Sequence, residues 1–135
     1  KRAGCGNNIE FVAASSTDFT GSDYDLVTCF DCLHDMGDPI GASAHILSTL
    51  KKDGTWMIVE PFAGDSPEEN LNPIGRVFYG ASASICVPAS IAFDGPALGA
   101  QAGEKVLTEV IKEGGFTKVR RVAETPFNIV LEARG

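Results

Sequence analysis

The sequence predicts an α/β domain, a mostly parallel sheet closed by an antiparallel strand pair. Three observations carry that prediction. The run Leu26-Val27-Thr28-Cys29-Phe30 is apolar without alternation, the pattern of a parallel strand covered on both faces. It turns polar at Asp31, Cys32, His34 and Asp35, then reaches Asp38-Pro39, an N-cap followed by proline at the first helical position. Near the end, the strand-like runs 116–122 and 127–133 are separated only by a turn at Glu124-Thr125-Pro126, too short for a parallel crossover.

A chain of 135 residues makes one domain with a real core, though it is small for a complete nucleotide-binding α/β unit. A formal net charge of −7 argues against a nucleic-acid backbone or an anionic membrane as principal partner. There is no signal-peptide pattern and no membrane-length apolar run, so a cytoplasmic location is expected. Cys5, Cys29, Cys32 and Cys86 are too few and too scattered for a disulfide framework and read as reduced thiols.

Taken in order, Lys1–Asn8 reads as a helix end followed by a Gly/Asn turn, and 9–14 (IEFVAA) as a short strand. Ser15-Ser16-Thr17-Asp18 is a small-polar loop, and 25–30 is the central strand. The helix from Pro39 to Lys52 carries Ile40, Ala44, Leu47 and Leu50 at helical spacing, and Lys51-Lys52 suit its C-terminus. Residues 55–60 (TWMIVE) make a second buried strand. Ser66-Pro67-Glu68-Glu69 and Asn72-Pro73 are helix starts, the second leading into a helix over 74–85. Pro88, Gly95, Pro96 and Gly99 make the stretch to about residue 100 a loop, so that 66–100 as a whole reads as a lid. A helix over 103–113 presents Val106, Leu107, Val110 and Ile111 and stops at Gly114-Gly115.

This order of elements resembles the C-terminal half of a class I S-adenosylmethionine-dependent methyltransferase. "LHDMGDP" at 33–39 is similar to the Leu-His-Asp-Trp-Ser-Asp loop of small-molecule O-methyltransferases. "IVEPF" at 58–62 is similar to the end of that family's next strand, and "EGGFTKVRRV" with "FNIVLEA" to its last helix and two strands. The resemblance implies a partial Rossmann-like fold, strands 3 to 7 of a seven-stranded sheet with an antiparallel final strand, spanning 1–135. The family's glycine-rich cofactor loop is absent, as is the acidic residue that binds the ribose, so the chain reads as a fragment expected to be inactive alone. With the family order 3-2-1-4-5-7-6, strand 25–30 would lack its neighbour. Its open edge is expected to recruit strand 9–14 or a second copy, giving a homo-oligomer.

The resemblance also implies the function: methyl transfer from S-adenosylmethionine to a small, aromatic, hydroxylated molecule. His34 would be the general base and Glu60 would orient it. Phe30 and Asp31 would meet the cofactor at a strand end, and Ser15 and Ser16 would lie at its adenine, where the family has an acidic residue. An imidazole that is neutral near pH 7 suits that proton transfer. The competing class is a non-catalytic Rossmann-like module serving in assembly. Cys29-x-x-Cys32 beside His34 reads as neither a metal nor a redox motif, because residues three apart on a strand point to opposite faces and no second ligand pair is spaced for a metal. His45 reads as a helix packing residue, Asp38 as a cap, and Phe78, Tyr79, Ile85 and Phe93 as the lining of an aromatic pocket.

Overall fold

The computed structural model describes residues 8–135; the helix end and turn expected over Lys1–Asn8 lie outside these, apart from Asn8. The strands β1 (Tyr24–Phe30), β2 (Leu50–Pro61), β3 (Lys118–Glu124) and β4 (Asn128–Arg134) form one sheet in the order β1-β2-β4-β3. β1 is parallel to β2, with Phe30 opposite Val59, and β4 lies antiparallel between β2 and β3. The antiparallel pair expected at the end of the chain is therefore present, each strand beginning one or two residues later than the sequence reading placed it. Phe116 falls before β3 and is buried instead, its ring 5.3 Å from that of Trp56.

Helices α1 (Pro39–Thr49) and α4 (Gly103–Glu113) pack against each other and onto one face of the sheet. Ile46 from α1 and Leu107 and Ile111 from α4 meet Trp56, Ile58, Ile129 and Leu131 in the core. Asp38 caps α1, its Oδ1 accepting from the Gly41 amide at 2.7 Å. The expected helix to Lys52 stops at Thr49, because Leu50 is already extended and Lys51 and Lys52 belong to β2.

Two strand expectations are corrected. No strand forms over 9–14, where Ile9, Phe11 and Val12 stand exposed; a short run stays extended only when a ladder partner takes up its backbone groups, and none does. β1 is not covered on both faces. It is an edge strand paired with β2 alone, with Leu26 and Phe30 exposed and Val27 and Cys29 half-buried. A continuous apolar run does not distinguish a central strand from an edge strand that pairs on one side only.

The region expected to be a loop beyond Ile85 is helical for longer. α2 (Pro73–Ala81) continues through a π-helical segment, Ser82–Cys86, into α3 (Val87–Ala92). The widened π turn displaces the usual i→i−4 ladder just where Pro88 lacks an amide hydrogen, so the proline is accommodated. The sequence reading found no membrane-length apolar run, yet Pro73–Ala92 is long and apolar enough, by length and composition only, to cross a bilayer. Gly75, Ser82, Cys86 and Ser90 on this helix are buried against the domain.

Candidate active site

β2 alternates strictly on its core side, burying Trp56, Ile58 and then Glu60, which is 1% exposed. A carboxylate at that depth needs partners for both oxygens. Oε1 accepts from the Leu33 amide at 2.9 Å and the Cys32 amide at 3.2 Å, and Oε2 pairs with His34 Nδ1. These bonds organise the turn after β1. Asp31 takes a left-handed φ of +47°, its amide donates to Val59 O at 2.8 Å, and Leu33–Asp35 closes as a 3-10 turn.

His34 is 3% exposed, and its ring lies between two carboxylates. Asp35 Oδ1 stands 3.0 Å from Nε2 without hydrogen-bond alignment and is a buried oxygen with no hydrogen-bond partner. Burial alone would push the imidazole down, but the hydrogen bond and charge of Glu60, with the charges of Asp35 and Asp31, outweigh it and leave the imidazole raised above its ordinary value. With Nδ1 committed to Glu60, the ring has Nε2 left for other chemistry.

The pair opens onto a cavity of about 340 Å³ beyond the carboxyl ends of β1 and β2. Its floor is Asp31, His34, Asp35 and Pro61; α2 and the π segment supply Phe78, Ala81 and Cys86, and the start of β4 supplies Asn128 with Phe127 just before it. Of the expected site residues, the fold brings together His34, Glu60 and Asp31. Phe30 precedes Asp31 at the strand end, 61% exposed and outside this cavity. Ser15 and Ser16 lie elsewhere, in a turn where Ser15 Oγ bonds Thr17 Oγ1 at 2.9 Å. Of the expected aromatic lining only Phe78 faces the cavity; Tyr79 lines a different one, and Ile85 and Phe93 are exposed.

Cys29 and Cys32 do not stand on opposite faces of one strand. Cys32 is past the end of β1, and the left-handed Asp31 turns it back until the two thiols are within hydrogen-bond reach. His45 packs as expected, its Nε2 2.8 Å from Phe19 O and its ring 4.4 Å from that of Phe19. Sequence reasoning missed Cys86 and Asn128. Cys86 lines the cavity from the end of the π segment, whose period α-helical spacing does not anticipate. Asn128 bonds Asp31 Oδ1 at 3.1 Å across 97 residues of chain and left no local signal.

No family model and no curated protein matches this sequence. Solved structures do match. Human N-acetylserotonin methyltransferase in complex with SAM superposes with a TM-score of 0.67 at 16% identity, covering 96% of this chain and 34% of that one. The trans-methyltransferase CalH in complex with SAH gives 0.66 at 20% identity, over 96% and 36%. An O-methyltransferase family protein from Burkholderia thailandensis gives 0.62 at 18%, over 93% and 35%. The chain spans about a third of the length of the structures it matches. Strand order, antiparallel last strand and superposition agree: the chain has the fold of the C-terminal part of a class I methyltransferase.

Proposed function

We propose that the protein transfers a methyl group from S-adenosylmethionine to a hydroxyl of a small aromatic molecule, and that this chain supplies the proton-accepting side of the site. The observation that carries the reading is the buried His34–Glu60 pair opening onto a cavity at the strand ends, where ligands of open α/β sheets bind. Glu60 fixes the ring through Nδ1 and leaves the Nε2 lone pair for the acceptor's proton. Once protonated, the ring is an imidazolium between the carboxylates of Glu60 and Asp35, which stabilise it. Asp31 and Asn128 border the same cavity and Phe78 offers a ring to an aromatic acceptor.

S-adenosylmethionine, when bound, supplies an electrophilic methyl group. The residues at the end of β1 suit part of it: an exposed Phe30 ring for an apolar face, and the Asp31 carboxylate for hydroxyl or ammonium groups. Ser15 and Ser16 are assigned to its adenine on the resemblance alone. The other cofactor contacts are assigned to strands of a longer protein, because structures of this fold are about three times as long. The chain alone is expected to be inactive, since selective binding of a transition state needs all of its contacts in place. The acidic charge and the free Cys29, Cys32 and Cys86 support a reducing, cytoplasmic setting.

The test expresses the chain together with the residues that precede it in its gene and follows radiolabelled methyl groups from S-adenosylmethionine into a panel of phenols. Incorporation that falls in the His34→Ala protein supports the reading. A folded protein that transfers no methyl group and binds no S-adenosylmethionine would favour the non-catalytic module.

A further inference from the structure

Three side chains of the cavity wall, from the turn after β1 and from the π segment, stand close together. His34, Asp35 and Cys86 each offer one donor atom, and the three atoms lie within 4.8 Å of one another. The histidine donor is Nε2, since Nδ1 is committed to Glu60, and Nε2 is 3.0 Å from Asp35 Oδ1. That oxygen is buried without a hydrogen-bond partner, and Cys86 is 7% exposed on the π segment that carries it to the cavity.

We propose that His34 Nε2, Asp35 and Cys86 form a binding site for a zinc-class divalent cation, with the remaining coordination position open to the cavity. The donor set is the mixed nitrogen, oxygen and sulfur set that zinc takes, and three protein ligands with one open position is the arrangement of catalytic rather than structural zinc. Tetrahedral zinc, with bonds of about 2.0 to 2.3 Å, spaces its donors about 3.3 to 3.8 Å apart; the Nε2–Oδ1 pair, at 3.0 Å, needs to open slightly, and no pair needs to contract by more than about 1.5 Å. The second shell is already present. Histidine ligands are typically oriented by a carboxylate on the other ring nitrogen, and Glu60 holds Nδ1 in that way while its second oxygen is fixed by backbone amides. A cation would also supply the missing partner of Asp35 Oδ1 and draw the Cys86 thiol into its thiolate form. Among the described residues this is the one cluster of its kind. The inference stands apart from methyl transfer, although a cation on Nε2 and a proton on Nε2 exclude each other, so cation binding is expected to oppose any use of His34 as a base.

Cobalt(II) titrated into the tag-free, reduced chain, followed by absorption, tests it without any assay of activity. The expected result is one equivalent bound, with a thiolate-to-cobalt charge-transfer band in the near ultraviolet and visible bands of tetrahedral intensity. Cys86→Ser is expected to abolish the charge-transfer band, and a Cys29→Ser/Cys32→Ser protein to keep it. Glu60→Gln is expected to keep the band and weaken binding roughly 10- to 100-fold. Far-ultraviolet dichroism shows which variants are folded; should Cys86→Ser not fold, Asp35→Asn serves instead, with loss of stoichiometric binding expected. The proposal is overturned if the folded wild-type chain binds no cobalt, or if the band survives in folded Cys86→Ser, or if Asp35→Asn binds as tightly as wild type.

Discussion

Glu60 Oε1 accepts the Leu33 amide at 2.9 Å, so the end of one parallel strand holds the turn that leaves the other. The same carboxylate takes the Cys32 amide and the His34 ring, and Glu60, Leu33 and His34 are all buried. Removing it leaves buried donors without acceptors and a ring without its counter-charge. Glu60→Ala is expected to destabilise the fold by about 3–5 kcal/mol, as for breaking a buried ion pair from one side. Urea denaturation of both proteins measures this, and a loss below about 1 kcal/mol would mean that water replaces the carboxylate.

If the protein carries out the proposed methyl transfer, His34→Ala is expected to lower kcat by about 10²- to 10⁴-fold, the usual contribution of a general base. Affinity for S-adenosylmethionine should change little, because the base acts on the acceptor's proton. Saturation kinetics beside a cofactor-binding titration separate the two effects. An unchanged kcat would leave proximity alone as the source of rate.

Cys29 is expected to be the most reactive of the three described cysteines near neutral pH. The hydrogen bond from the Cys32 thiol, opposed by burial, lowers Cys29 to about 7, while burial and the Asp35 carboxylate push Cys86 up to about 11. Iodoacetamide labelling of Cys29, read by peptide mass spectrometry, should rise through about pH 7. Cys32→Ala should move that rise toward the ordinary value of 9.0. Equal labelling profiles for Cys29 and Cys86 would contradict the prediction.

The acid limb of stability should depend on Glu132. Its carboxylate pairs with Arg134 and Arg120, and these interactions, against burial, hold it below its ordinary value of 4.5. The folded state binds that proton less readily than the unfolded state. The contribution is therefore complete above about pH 4.5 and is lost as pH falls through the lower folded value. Glu132→Gln should flatten the fall in stability between pH 5 and pH 3, followed by thermal unfolding. An unchanged slope would assign the acid limb to other carboxylates.

The open edge of β1 is expected to make the isolated chain self-associate. β1 pairs on one side only, and Leu26 and Phe30 are 54% and 61% exposed. Unpaired apolar edges recruit a second strand, and charge on them prevents it. Light scattering at tens of micromolar should show a dimer that Leu26→Lys dissociates; a monomeric wild-type chain would refute this.

Much of this was legible in the residues, and what was not has physical causes. Asp38 and Asn72 cap their helices because a short side-chain acceptor before proline has few other uses. The histidine and the glutamate announced themselves because each follows an apolar run at a strand end. Edge and central strands could not be told apart, because an apolar run records what a strand buries in a complete sheet, not which neighbour is present. The course of the helix through Pro88 was hidden, because proline marks a helix break only where the ladder is regular. The meeting of Cys29 with Cys32 was hidden by one residue, Asp31, whose left-handed backbone cancels the strand alternation.

The helical wall over the cavity is tied down along its second half, from Ser82 to Ser90. Ser90, fully buried, donates to Met36 O at 3.0 Å and accepts from the Ala97 amide at 3.1 Å. Ser82 accepts from the Ala100 amide at 3.0 Å. A Cβ on Gly95 would stand 2.7 Å from Gly37 Cα, so the loop after α3 also lies directly against the turn beyond His34. A swing of this helix would break all of these contacts together. Across the cavity from the helix stands the turn before β4, where Phe127 is exposed. Any movement of the wall over His34 is therefore left to Pro73–Ala81, the part of the helix ahead of these bonds.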